Sequence, residues 1–259
     1  MPLFAILTLF PEALEPYLAS SILGLAQARG LVRVIAVDFR DFTRDRHRTV
    51  DDRPFGGGPG MVLMPEPIAE CVEWLEARHG RFRKLALCPR GKVFRQPFAE
   101  QLALEERTLL LAGRYEGFDE RLHDELGFED ISLGDFIVSG GELPALCVVE
   151  AAVRLIPGVL GHEESARRDS FSDDPLHGSE RLLDHPHYTR PRVWRGRATP
   201  EVLLSGNHEQ IARWRTAAAL AKTRATRPDL ITPDAPETAN LETEPERARR
   251  NAHESDRTS

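Results

Sequence analysis

The sequence is poor in cysteine and has no long apolar run. Its three cysteines, Cys71, Cys88 and Cys147, are odd in number, far apart and in no C-x-x-C arrangement. That excludes a disulfide framework and a thiolate zinc site, and points to free thiols. No apolar stretch approaches the ~18 residues of a membrane span, so a soluble protein is expected. The opening MPLFAILTLF is apolar but has no basic flank and runs straight into Pro11 and Glu12 without a small-residue cleavage site. It reads as a strand rather than a leader, and the expected location is cytoplasmic. FGGGPGM at 55–61 lacks the Gly-Lys-Ser/Thr of a P-loop, which excludes ordinary nucleotide hydrolysis. No G-x-G-x-x-G follows the first strand pattern, so the usual dinucleotide fingerprint is missing. No G-x-S-x-G elbow supports a serine hydrolase. None of the nine histidines stands in H-E-x-x-H, and HPHY at 185–188 puts two imidazoles on a loop without further spaced ligands; no metal site is expected.

What is present is 259 residues, 41% hydrophobic and 29% charged, enough for one large or two modest domains with a ligand pocket. The net charge of -7 is unevenly spread: residues 1–184 hold 21 Lys/Arg against 31 Asp/Glu, residues 185–228 hold 9 against 2, and residues 229–259 hold 4 against 8. A basic segment is embedded in an acidic chain, and only its placement on one surface would make it a polyanion site.

Strand patterns at 3–10, 31–39, 84–88, 108–113, 129–135 and 135–140 alternate with helical patterns at 12–29, 65–78, 97–106 and 142–155. The alternation predicts an α/β fold with a mostly parallel sheet over residues 1–160. Residues 161–187 are polar and lack periodicity, and read as a long linker. Residues 188–231 read as a small all-α domain: Thr199 and Asn207 are candidate helix caps, and Ile211, Trp214, Ala218 and Leu220 form an apolar stripe. Residues 232–259 carry almost no large apolar side chain and read as a disordered tail.

Glycines cluster in FGGGPGM (55–61), PRG (89–91), GRYEG (113–117) and LGDFIVSGGELP (133–144), and the last three follow or flank strand patterns. Loops at the carboxyl ends of parallel strands line the ligand crevice, and glycine permits close backbone approach. Together they predict one small-molecule pocket.

The blocks RPFGGGPGMVLMPEP (53–67), LAGRYEGFDER (111–121), SLGDFIVSGGELPAL (132–146), RLIPGVLGHEESA (154–166), LLDHPHYTRP (182–191) and VLLSGNHEQIARWR (202–215) closely resemble, in family order, the bacterial tRNA (guanine-N1)-methyltransferases. The resemblance covers about residues 1–228. It implies the SPOUT fold, an α/β domain ending in a trefoil knot whose loops bind S-adenosylmethionine, and a homodimer whose active sites are shared between chains. No counting of strands suggests a knot, since knots are rare. The implied cofactor residues are Leu87, Cys88, Pro89 and Gly91, then Gly113, Tyr115, Glu116 and Gly117, then Leu133, Gly134, Asp135, Phe136, Ile137, Val138, Gly140 and Gly141, with Pro144. The implied product is 1-methylguanosine at position 37 of tRNA, beside the anticodon.

Guanine N1 carries a proton and a delocalised lone pair, so methylation there requires a base. The resemblance gives that role to Asp169, and gives Arg154 the negative charge that develops on O6. Alignment of N1 with the methyl carbon comes from positioning. Mg²⁺ is implied, with Glu116 a contributor, and Phe171 or Tyr188 offers an aromatic face to the unstacked base. Arg190, Arg192, Arg195, Arg213 and Arg215 are expected on tRNA phosphates, joined by Arg197, Lys222, Arg224 and Arg227 and, from the other domain, His47, Arg48 and Arg53. The chain departs from the common pattern at Ala86, Cys88 and Arg90, where the family usually has Tyr, Ser and Gln, and at Phe136, where it usually has Tyr. The linker carries extra residues in SDDPLHGSER. Alternative readings are a SPOUT methyltransferase acting on another RNA and an RNA-binding relative without catalysis.

Overall fold

The computed structural model describes residues 1–161, 169–173 and 181–231. Most of the linker insertion and the whole tail expected to be disordered lie outside the described residues. The chain divides into two compact units, Met1–Glu163 and Glu164–Ser259.

In the first unit the elements are β1 (Leu3–Thr8), α1 (Pro11–Leu18), α2 (Ser21–Ala28), β2 (Arg33–Asp38), β3 (Asp51–Asp52), β4 (Val62–Leu63), α3 (Pro65–His79), β5 (Arg83–Val93), α4 (Gln96–Leu104), β6 (Arg107–Leu111), α5 (Arg121–Leu126), β7 (Glu129–Ser132) and α6 (Glu142–Val153). Five strands form a sheet in the order β2-β1-β6-β5-β7, and every pairing is parallel. The period-two alternation of buried side chains explains why both faces are covered. Phe4, Ile6, Leu110 and Leu85 point to one face, where they pack with Leu14, Leu23, Leu102 and Val149 from α1, α2, α4 and α6. Leu3, Leu7, Leu109 and Leu111 point to the other, against Ile68, Val72 and Leu75 of α3 and Leu122 of α5. A sheet buried on both sides needs uninterrupted apolar strands, which is why LFAILT contains no solvent-facing position. Each fully buried leucine or isoleucine contributes about 1.5–3 kcal/mol.

Three expectations need correction here. Residues 12–29 form two helices: Pro16 removes a backbone donor from the last turn of α1, and Ser20, with φ -104 and ψ 162, is extended ahead of α2. Residues 135–140 are not a strand. They have no pairing partner among the described residues, and Gly134 at φ 150 turns the chain away from the sheet after β7. The second unit is not all-α: Val193–Trp194 (β8) and Arg197–Ala198 (β9) form a small antiparallel hairpin. Its two-residue turn is Arg195-Gly196, both at positive φ (51 and 76), the conformation that suits tight hairpins.

The rest of the second unit is a 3₁₀ turn at Glu201–Leu204 followed by α7 (His208–Thr226). Asn207 caps α7 as expected, its side chain accepting from the Gln210 N–H at 3.2 Å. Thr199 caps nothing; its N–H instead donates to the Arg192 carbonyl at 2.8 Å, closing the hairpin. Ala218, Ala219 and Thr223 are the buried positions of α7.

Candidate active site

The three glycine groups at the strand ends meet around one cavity of about 320 Å³. Its first wall is an excursion within β5. Leu87 and Lys92 both pair with Ile131 of β7, so Cys88, Pro89, Arg90 and Gly91 loop out of the ladder before the strand resumes. The second wall is the turn after β6. There Glu116 N–H donates to Met61 O at 3.0 Å and Leu63 N–H donates to Gly117 O at 2.9 Å, fastening the turn to β4 and to the FGGGPGM loop. Tyr115 in this turn holds φ 59, a left-handed conformation that costs a non-glycine residue about 1 kcal/mol and is retained where a loop must keep its shape. The third wall is the irregular run from Leu133 to Gly141.

The cavity brings together nearly all the cofactor residues that the resemblance implies: Leu87, Cys88, Pro89, Gly113, Tyr115, Glu116, Gly117, Leu133, Gly134, Phe136, Ile137, Val138, Gly140, Gly141 and Pro144 line it. Gly91 and Asp135 do not. Gly91 serves packing: a Cβ there would lie 2.4 Å from the Asp130 and Ile131 backbone, so only glycine lets the loop rejoin the sheet. Gly141 does both. It faces the cavity, its N–H donates to Gly113 O at 2.8 Å, and an added Cβ would meet Ala112 Cα at 2.6 Å. Arg114, Phe118, Ile131 and Ser132 also line the cavity. Motif reading passed over them because their types belong equally to a core and to a surface. Of the positions where the resemblance implies other residues, Cys88, Arg90 and Phe136 face the cavity, whereas Ala86 is fully buried in the sheet.

The charges in the lining are arranged rather than free. Arg114 forms an ion pair with Glu142 at 3.0 Å. Glu142 opens α6, is only 5% exposed, and also accepts from Thr8 Oγ1 at 2.9 Å. Arg114 further covers the Phe10 ring, 4.5 Å from its centroid. Arg90 turns to Glu120, 3.0 Å away, and to the Cys88 sulfur. With both guanidiniums paired, Glu116 is the remaining charge of the lining. The pocket therefore suits a ligand that is mostly apolar, bound against glycine backbone, and that carries a positive centre.

The two residues expected to act on the base occupy separate units. Arg154 is the half-buried C-cap of α6. Asp169 is half-buried in a turn closed by Ser172, whose N–H and hydroxyl both donate to the Asp169 carbonyl, at 3.1 and 2.6 Å. Phe171 N–H donates to Leu182 O at 2.9 Å and Asp184 N–H donates to Ser170 Oγ at 2.9 Å, so the turn is held by the 182–184 segment. Arg190, Arg192, Arg195, Arg213 and Arg215 are all exposed. Arg213 pairs with Glu209 one helical turn earlier, and Arg195 lies 4.9 Å over the Trp194 ring. Arg227 is paired with Asp229, and in the first unit Arg48 is paired with Asp41, so these two expected tRNA contacts are already partly neutralised. Tyr188 packs against Trp214 at 6.2 Å between ring centroids.

Comparison with known proteins agrees with this picture. The profile of the family described as tRNA (Guanine-1)-methyltransferase TrmD matches residues 3–233. The chain is 51% identical over 232 residues to the tRNA (guanine-N(1)-)-methyltransferase of Alcanivorax borkumensis, covering 89% of this chain and 86% of that one. It is 49% identical over 226 residues to the protein of the same name from Bacillus licheniformis, and 48% identical over 226 residues to that from Bacillus subtilis, covering in each case 87% of this chain and 90% of the relative.

Proposed function

The chain belongs to the tRNA (guanine-1)-methyltransferase family, and on that premise we propose that it moves the methyl group of S-adenosylmethionine to N1 of the guanine at position 37 of tRNA. The observation that carries this reading is the convergence of the glycine loops, separated in sequence, on one cavity. The cavity fits the donor: glycine backbone and apolar side chains for the nucleoside, and Glu116 as counter-charge for the sulfonium. Bound there, S-adenosylmethionine supplies an activated methyl carbon.

In this reading the protein's own groups do the rest. The Asp169 carboxylate accepts the N1 proton, releasing the lone pair that forms the new N–C bond as the carbon–sulfur bond breaks and its pair stays on sulfur. Arg154 stabilises the charge that grows on O6 as the proton leaves. Neither replaces alignment, which the rigid loops provide. Arg190, Arg192, Arg195, Arg213 and Arg215 hold the RNA by its phosphates.

The same reading makes the protein a homodimer of the cytoplasm, with each site shared between copies. Exposed apolar side chains beside the cavity support this: Phe136 is 57%, Ile137 78% and Leu143 67% exposed in the single chain, which a partner surface would cover. The trefoil knot belongs to it as well, supported by the close passage of Gly141 past Ala112 and Gly113 at the end of β6. Magnesium is a different matter. Glu116 is the single carboxylate of the cavity lining; because Mg²⁺ keeps several waters and takes one or two carboxylates together with substrate oxygens, Glu116 would hold it only with oxygens of the bound substrates.

The test is transfer of labelled methyl to tRNA transcripts with guanine or adenine at position 37, by wild-type protein and by Asp169→Ala. Transfer to the guanine transcript alone, lost in Asp169→Ala while donor binding persists, is the expected result. Equal transfer by the variant would remove Asp169 from its role.

A further inference from the structure

The segment Asp184-His185-Pro186-His187 enters the second unit with an arrangement that the proposed methyl transfer does not use. The two oxygens of the Asp184 carboxylate face two different imidazoles: Oδ1 lies 2.5 Å from His185 Nδ1, and Oδ2 lies 2.8 Å from His187 Nε2. One donor atom from each of the three side chains falls within 4.8 Å of the others. The rings meet edge to face, their centroids 4.5 Å apart. Sequence spacing gives no warning of this, because the carboxylate is supplied by the residue directly before the first histidine and matches no spaced ligand pattern.

We propose that Asp184, His185 and His187 form a binding site for a single divalent transition-metal ion of the zinc class. Two imidazole nitrogens with one carboxylate oxygen suit Zn²⁺, Co²⁺ or Ni²⁺, whereas Mg²⁺ and Ca²⁺ require mainly oxygen. Three protein ligands leave a fourth position for water, the pattern of an open zinc site. The side chains are graded for entry: those of His185 and Asp184 are 13% and 27% exposed, while His187 stands at the lip with 72%. The cluster also has a supporting frame. Leu183 N–H donates to Thr223 Oγ1 of α7 at 2.9 Å, Asp184 N–H donates to Ser170 Oγ at 2.9 Å, and the His185 ring packs 6.3 Å from Trp214. With metal–ligand bonds of about 2.0–2.1 Å, tetrahedral ligand atoms sit roughly 3.3 Å apart. The two Asp184–imidazole contacts therefore have to open by less than about 1 Å, and the widest donor pair, within 4.8 Å, has to close by at most about 1.5 Å, movements available to the exposed His187 ring by side-chain rotation. The neighbouring Arg215 acts on His185 and opposes a cation, so the site is expected to be of moderate affinity. An ion there would tie the turn carrying Asp169, through Ser170 and Asp184, to α7.

The test uses the full-length protein, freed of metal by chelation and titrated with Co²⁺ in excess Mg²⁺, with Zn²⁺ binding followed by calorimetry. The expected result is one equivalent bound, with visible bands of a low-symmetry N/O site. Binding should weaken by at least about tenfold in His187→Ala and in His185→Ala, and stay unchanged in His208→Ala, which alters an exposed histidine outside the cluster. Because His187 is exposed, its variant is expected to fold, which circular dichroism checks. Binding that survives both cluster substitutions, a thiolate charge-transfer band placing the ion on a cysteine, or no saturable binding would each overturn the proposal.

Discussion

Glu142 is a buried carboxylate that makes no contact with the reaction, yet it holds three parts of the cavity wall at once. It opens α6, accepts from Thr8 at the end of β1, and neutralises Arg114 in the turn after β6. Substituting Glu142→Gln leaves Arg114 without its counter-charge. Because Arg114 keeps a 28% exposed side chain, the expected loss in urea denaturation lies at the low end of the range for broken buried pairs, about 3 kcal/mol. Donor binding should weaken in the same variant, seen as a larger change in KM than in kcat. His123 offers a pH-dependent counterpart. Burial lowers its pKa, but the hydrogen bond to Asp130 at 2.8 Å, then the contacts with Glu120, outweigh that and raise it above the ordinary value. A raised folded pKa means stability that is fully present below about pH 6.5 and lost as pH rises through the folded value. Wild type should therefore exceed His123→Gln in thermal stability at pH 5.5, and the gap should narrow by pH 8.5. A gap independent of pH would assign His123 a packing role only. Neither residue was legible in the sequence, since their partners lie 134 and 7 positions away and follow no motif.

Elements were more legible than residues where burial enforces period. β1, β2, β6 and α3 run within a few positions of their sequence patterns, because both faces of the sheet and one stripe of α3 must be apolar. Failure came where apolar residues serve another purpose. DFIVSG has the composition of a strand, but Ile137 is 78% exposed and Phe136, Ile137 and Val138 line the cavity: their hydrophobicity faces the cavity and the proposed partner chain, not a core. The hairpin at β8 and β9 escaped notice because its strands are two residues each, too short for any periodicity. The cap of α7 was legible, since Asn207 stands directly before the helical pattern. Asn207→Ala is expected to destabilise the protein by about 1 kcal/mol and to fray the first turn of α7, measurable by thermal melts followed by circular dichroism. An unchanged melt would mean that the helix start is held by packing alone.

At the scale of the whole molecule, the basic charge is concentrated in one segment of the second unit. The first unit holds 18 Lys/Arg against 25 Asp/Glu, while residues 185–228 of the second hold 9 against 2 and expose Arg190, Arg192, Arg195, Arg213 and Arg215. Binding to tRNA should therefore weaken steeply with salt despite the net charge of -7. Arg190→Ala should weaken binding to guanine and adenine transcripts alike and flatten the slope of log affinity against log salt by about one. What the residues alone made legible was a pocket of glycine loops at the strand ends. The identity of the base, the donor and the roles of Asp169 and Arg154 came from resemblance, because a single aspartate in a polar linker carries no physical signature of its own. The excursion inside β5 was not legible either, as it depends on two residues of one strand sharing Ile131 across the ladder. The central claim, methyl transfer to guanine N1, is tested most directly by letting the protein act on an unmodified guanine-37 transcript with S-adenosylmethionine, digesting the RNA to nucleosides and identifying the methylated product by mass spectrometry. 1-Methylguanosine as the sole methylated nucleoside is the predicted result; a methyl group on ribose, on another base or on another guanine atom would contradict it.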